Sequence, residues 1–201
     1  MNEKIELSLC DVLSLSKTPS ERVTSLFELM QDHGQSFYDE SVTQLEHALQ
    51  AAHLAKTSHA TKEQITAALL HDIGHFLMDE HDEQNHFLAE DWQHETVGAQ
   101  QLAPFFGKAV TEPIFLHVPA KRYLCSVNAD YFNGLSRASQ RSYELQGGLM
   151  TDAEIAEFEQ NPFHHTAVLL RRWDDGAKVK GLKVPDLQEY HTEVESCLEH
   201  S

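Results

Sequence analysis

Asp72 stands where a core residue belongs. It completes the helical spacing Ile65, Ala68, Leu69, Asp72 and, with His71, follows directly on the apolar run Ala67, Ala68, Leu69, Leu70. A carboxylate taken out of water at such a position is tolerated when a cation meets it, and a metal ion is the simplest such cation. Single histidines flank the pair at His47 and His94, followed by His117 and, far downstream, by Asp174. One aspartate can bridge two ions, each completed by imidazoles from neighbouring helices. The expected fold is therefore all-α: a helical bundle that draws distant ligands into a dinuclear metal centre.

The rest of the chain is patterned for helices. Thr18-Pro19-Ser20-Glu21 combines an N-cap, a proline at the first helical position and a capping-box glutamate, and Val23, Leu26, Phe27 and Met30 follow at helical spacing. That predicts a helix to about Gly34. A second is expected from near Ser41, with Leu45, Ala48, Leu49 and Ala52 as its stripe, and a third from Thr61, where Gln64 completes a capping box. Another begins around His94. From about Glu112 a further helix places Ile114, His117, Val118 and Lys121 on one face, with Pro119 expected to kink it. Gly147-Gly148 reads as a turn, Thr151 opens a helix, and Asn161-Pro162 starts the one carrying Ala167, Leu170, Arg171 and Asp174. The polar stretch from Met78 to Trp92 reads as a loop, placed to act as a lid. Strand signals are nearly absent. The expectation is a single domain over 1–201, with a core from about 18 to 180 and a helical tail from about 185 to 198.

With 32 acidic against 15 basic residues the net charge is −17, which repels nucleic acid and acidic membrane surfaces. An anionic substrate then needs a local basic patch, and Lys121-Arg122 and Arg171-Arg172 are the best concentrations of positive charge. Cys10, Cys125 and Cys197 are too scattered for a disulfide framework, and no apolar run approaches a membrane span. A cytoplasmic location is expected.

Imidazole and carboxylate without thiolate suit iron, manganese or zinc, and composition does not choose among them. Most other histidines read as solvated. His75, one turn after His71, is placed to reach the same cavity, in substrate contact or in support of the ligands.

The order His, His-Asp, Asp, with His94 and His117 between, resembles the HD-domain superfamily. The runs QLEHALQ (44–50), LLHDIGH (69–75), WQHETVGA (92–99), HVPAKRYL (117–124), LSRASQRSYELQGG (135–148) and RRWDD (171–175) are similar to the mixed-valent diiron oxygenases that act on 2-amino-1-hydroxyethylphosphonate, forming glycine, and to a sister group that acts on the trimethylammonio analogue, forming glycine betaine. The resemblance implies an HD-domain fold and two iron ions in a mixed-valent Fe(II)/Fe(III) pair. It implies that His47, His71 and Asp174 hold one iron, that His94 and His117 hold the other, and that Asp72 bridges them. Lys121, Ser139 and Arg171 match positions around the phosphonate, Gln146 a position near the site, and His75 a supporting histidine. With Asp72, His75 and Lys121 serving the reaction, the implied activity is cleavage of the C–P bond of a 1-hydroxyphosphonate with O2, giving phosphate and glycine or glycine betaine.

The resemblance departs at residues 37–40. The glycine-forming members carry an iron-capping tyrosine three residues before a glutamate that receives the substrate amine. Here Phe37 has that spacing from Glu40, while Tyr38 is one residue closer. The capping role falls to Tyr38 after a local slip, or is absent; an aromatic pair beside a carboxylate also suits a quaternary ammonium. The expected partners are a small hydroxyphosphonate and O2, downstream of a hydroxylase that makes the substrate. The alternatives are an HD-type phosphohydrolase, which uses the same ligands to activate water, and a non-catalytic metal-stabilised sensor.

Overall fold

The protein is described by a computed structural model, which covers residues 8–38, 42–77 and 93–199. It is built from helices, with no extended strand among the described residues and two isolated bridges, Phe37 with Thr43 and Phe106 with Leu198. The all-α expectation holds.

Capping decides where the early helices start. Ser8 opens α1 (Leu9–Leu15), Thr18 opens α2 (Pro19–His33), Thr43 opens α3 (Gln44–Thr57) and Thr61 opens α4 (Lys62–Leu70). Each threonine or serine oxygen accepts from the N3 backbone, while the N3 acid or glutamine closes the box. The expected start near Ser41 is thus corrected to Gln44, because Thr43 and Glu46 form the reciprocal cap. The periodic run that ends in Asp72 is also broken. His71 and Asp72 form the junction between α4 and the short α5 (Ile73–Leu77), so Asp72 is buried at a turn, 3% exposed, rather than inside one continuous helix.

After the described residues resume, α6 (His94–Leu102) begins on His94 itself, preceded by Gln93 in the left-handed region at φ 50°. The next helix, α7 (Lys108–Val127), starts four residues earlier than expected and runs through both Pro113 and Pro119. Short helices α8 (Ala129–Gly134) and α9 (Arg137–Leu145) lead to the turn at Gly147 and Gly148, whose φ values of 102° and 63° explain the paired glycines. Arg122 clamps this turn. Its Nε donates to the Gly148 carbonyl at 3.0 Å and its guanidinium pairs with Glu154 at 2.8 Å. α10 (Asp152–Gln160) and α11 (His164–Gly176) follow, and a 3-10 turn (Leu187–Tyr190) leads into α12 (His191–Cys197) where one tail helix was expected.

α11 lies between α7 and α3, α3 packs on α4, and α6 crosses both α5 and α7. The main core includes Leu26, Met30, Ala51, Leu69, Leu70, Ile114 and Leu170. The inner faces of α3, α7 and α11, with the α4–α5 junction and the start of α6, surround one buried polar point. Met78–Trp92 lies outside the described residues.

Candidate metal centre

All six expected ligands converge there, and five of them are almost completely buried: His47 and His71 at 0%, His117 and Asp174 at 1%, Asp72 at 3%. Asp72 divides its two oxygens. Oδ2 lies 3.4 Å from His47 Nε2 and 3.3 Å from His71 Nε2, whereas Oδ1 lies 3.4 Å from His94 Nε2 and 3.5 Å from His117 Nε2. Asp174 Oδ1 adds to the first group, 3.3 Å from His47 Nε2. The donors thus form two clusters that share one carboxylate.

The tautomers show what these clusters are built to bind. His47 Nδ1–H donates to the Ala177 carbonyl at 2.9 Å, His71 Nδ1–H to Ala68 at 2.9 Å, and His117 Nδ1–H to Ile114 at 2.7 Å. Each leaves its Nε2 lone pair facing the cluster. His47 Nε2 and His71 Nε2 then face one another at 3.1 Å, as do His94 Nε2 and His117 Nε2. Lone pairs at that separation beside a carboxylate need a cation between them. The oxygen and nitrogen donor set, without thiolates, fits a metal ion such as iron, manganese or zinc.

Electrostatics agrees. Burial penalises the Asp72 carboxylate, yet His71 and the other imidazoles hold it well below the usual carboxylate range. Burial likewise opposes ionisation of Asp174, and Arg171 overrides it. Burial depresses His94 to about 4 and His117 well below its ordinary value, keeping both neutral as ligands must be. His47 is also disfavoured as a cation by burial, but Asp174 and Asp72 raise it to about 9: its Nε2 sits in a field that attracts positive charge.

The substrate-side expectations are placed as follows. His75 stacks on His94 with centroids 3.9 Å apart, and a ring nitrogen of His75 lies within 4.8 Å of donor atoms of Asp72 and His94. Lys121 is 3% exposed, one turn beyond His117, and donates to Ser142 Oγ at 2.9 Å. Burial, with Arg171 adding to it, lowers Lys121 to about 7. Arg171, also 3% exposed, pairs with Asp174 at 2.7 Å and with Asp175, and its Nε donates to Tyr131 Oη at 3.3 Å. One residue of each basic pair faces inward, while Arg122 serves the glycine turn. Ser139 is buried at the start of α9. Gln146 caps the end of α9 with a buried Oε1 that has no partner among the described residues, and no described contact joins it to the ligands. Tyr38, not Phe37, is the aromatic at the centre. Its ring stacks on His47 at 3.8 Å and its hydroxyl donates to Asp174 Oδ1 at 3.4 Å, whereas Phe37 is 71% exposed. Glu40 lies outside the described residues.

Sequence reasoning missed Lys178. Its ammonium donates to Ser139 Oγ at 3.0 Å and lies 3.8 Å from Asp174 Oδ1. Helical spacing gave no signal for it, because Lys178 lies just beyond the end of α11.

The HD-domain family profile matches residues 44–123, a span that includes all five of the expected ligands that precede α11. The chain is 99% identical over 201 residues, all of both chains, to a Gimesia maris protein named hydroxymethylphosphonate dioxygenase. This chain belongs to the HD-domain dioxygenases. It is also 41% identical over 159 residues, 76% of this chain and 77% of the other, to the 1-hydroxy-2-(trimethylamino)ethylphosphonate dioxygenase (glycine-betaine-forming) of Leisingera caerulea. An uncharacterised protein of Acanthamoeba polyphaga mimivirus is 34% identical over 172 residues, 85% and 78% of the two chains. The expected fold, family and enzyme class of this HD-domain dioxygenase therefore hold. Among the described residues no helix is long and apolar enough to cross a membrane.

Proposed function

We propose that the chain is a mixed-valent diiron oxygenase that cleaves the C–P bond of hydroxymethylphosphonate with O2. One observation carries this reading: Asp72 splits its oxygens between two buried imidazole pairs, with the cations Lys121 and Arg171 buried alongside. His47, His71 and Asp174 would hold one iron, His94 and His117 the other, and Asp72 both. The near-identity to a protein named for hydroxymethylphosphonate supports that compound as the substrate.

When bound, the irons supply dioxygen activation and one-electron chemistry. The protein supplies position and charge. Lys121, Ser139 and Arg171 bind the phosphonate oxygens, fixing C1 beside the metal centre. Tyr38 covers His47, His75 braces His94, and burial excludes water from the reacting carbon. The reaction balances without an external reductant: hydroxymethylphosphonic acid plus O2 gives formic acid plus phosphoric acid. One C–P bond, one C–H bond and the O–O bond break; one dioxygen oxygen ends on C1 and the other on phosphorus, and the C1 hydrogen leaves as a proton taken up by the products. Because C1 must already carry a hydroxyl, a hydroxylation of the parent phosphonate has to precede this step. The three unbridged cysteines fit a reducing cytoplasm.

Requirement for the hydroxyl tests the reading. Iron-loaded protein in air should release phosphate from hydroxymethylphosphonate and none from methylphosphonate, which lacks the second donor atom needed to orient C1. Equal release from methylphosphonate would contradict it. Partly oxidised protein should hold about two irons and show the magnetic signature of a coupled Fe(II)/Fe(III) pair.

Lys121 gives a second check. Lys121→Ala should lower kcat/KM by about ten- to a hundred-fold, the loss of one charge-assisted contact, with iron content near wild type. In the wild type, kcat/KM should fall as pH rises through about 7, where the buried ammonium loses its proton. That limb should vanish in the variant, and unchanged kinetics would make Lys121 a structural charge.

A further inference from the structure

Lys178 occupies a place that a ligand cation would otherwise find attractive. Its ammonium sits over the Tyr38 ring, 5.3 Å from the centroid, while donating to Ser139 Oγ and lying near the Asp174 carboxylate. An aromatic face beside a carboxylate is what recognises an ammonium, quaternary ones included. The side chain is 13% exposed, so this charge is largely removed from water.

Its placement is fixed from both sides. The carbonyl of Ala177 accepts from the ligand His47, and the Ala177 N–H donates to the Asp174 carbonyl at 3.0 Å. Val179 is held on its other flank by Gln50, whose amide donates to the Val179 carbonyl and accepts from its N–H, both at 3.0 Å. Gln50 lies on α3, one turn after His47, and is 1% exposed. Lys178 is therefore presented by backbone pinned to the ligand-bearing helices, and its ammonium cannot be read as a loose surface charge.

Resting on the reading above, we infer that Lys178 is a specificity-determining residue that supplies the pocket with a built-in ammonium. Hydroxymethylphosphonate brings negative charge and no cation, so a fixed ammonium between Ser139 and Tyr38 complements it. A substrate with its own amine or trimethylammonium group must place a like charge near the same aromatic face, with little water to screen it. The relative named for the trimethylamino compound is 41% identical, and the one named for the nitrogen-free compound is 99% identical. Discrimination between the two substrates then lies partly in a lysine of the protein rather than in an added wall.

Anaerobic calorimetry on the iron-loaded protein tests this, because binding is read without turnover. Wild type, Lys178→Met and Lys178→Arg are titrated with hydroxymethylphosphonate and with 1-hydroxy-2-(trimethylamino)ethylphosphonate, and iron content is measured for each. The wild type should prefer the nitrogen-free compound. Lys178→Met should move the ratio of the two affinities by about ten- to a hundred-fold toward the trimethylamino compound, and Lys178→Arg should keep the wild-type order. A Lys178→Met protein that weakens both ligands by one factor, or neither, overturns the inference, as does a wild type that prefers the cation. Failure of the underlying reading has a separate signature: no phosphate from hydroxymethylphosphonate when wild type is given air.

Discussion

Asp72→Ala should lose both metals rather than one. Its Oδ2 faces His47 and His71 and its Oδ1 faces His94 and His117, so a single deletion reaches both clusters. After the change, the His94 and His117 cluster is left with two neutral imidazoles, too few donors and too little negative charge to hold iron. The other cluster keeps Asp174 but loses half its carboxylate charge, and Asp174 is already shared with Arg171. Elemental analysis of the purified variant should find both sites depleted, with turnover abolished. Asp72→Asn, which keeps the volume and one oxygen, should fail in the same way because an amide nitrogen cannot bridge. Full metal content in either variant would defeat the bridging role.

Gly74→Ala should be the most damaging conservative change outside the ligands. A Cβ at Gly74 would stand 2.1 Å from the His94 carbonyl oxygen, 2.8 Å from its carbon and 2.9 Å from its Cα. All three are backbone atoms, so no side chain can rotate away. On the facing helix Gly98 is also tight, though less so, its own Cβ position 3.0 Å from Ile73 Cγ2 and 3.2 Å from Gly74 N. The methyl must therefore pry α6 from α5, and His94, the first residue of α6, moves with it. Overpacking of this kind costs about 1–3 kcal/mol, and backbone contact places it at the upper end. Tm should drop by roughly 5–10 °C, and metal should be lost first from the His94 and His117 cluster. A variant with unchanged Tm and two metals would show that the crossing yields at no cost.

Much of this centre was legible because metal ligands impose a pattern that packing does not. Nothing in core formation asks for His71 and Asp72 at the end of an apolar helix, so the pair advertises a cation before any contact is known. Capping boxes fixed the starts of α2 and α4 for an equally local reason. Where local signals competed, the sequence misplaced the start of α3 and left the aromatic at residues 37–38 open. Ser41 and Thr43 both offer a cap, and the reciprocal glutamate at Glu46 decides for Thr43. Phe37 matched the spacing of a capping tyrosine, but the Phe37 to Thr43 bridge turns the phenylalanine outward and Tyr38 onto His47. Lys178 was invisible for a different reason: it lies beyond the end of α11, and its direction is set by Gln50, more than a hundred residues earlier in the chain.

The reaction itself is tested most directly by counting oxygen. Iron-loaded protein is mixed with hydroxymethylphosphonate under strict anaerobiosis, and O2 is then added in measured amounts less than the substrate. No phosphate should form before the addition, and each O2 should afterwards yield one phosphate and one formate. Phosphate released before oxygen is admitted, or in amounts independent of it, would contradict oxidative C–P cleavage and assign the same ligands to hydrolysis.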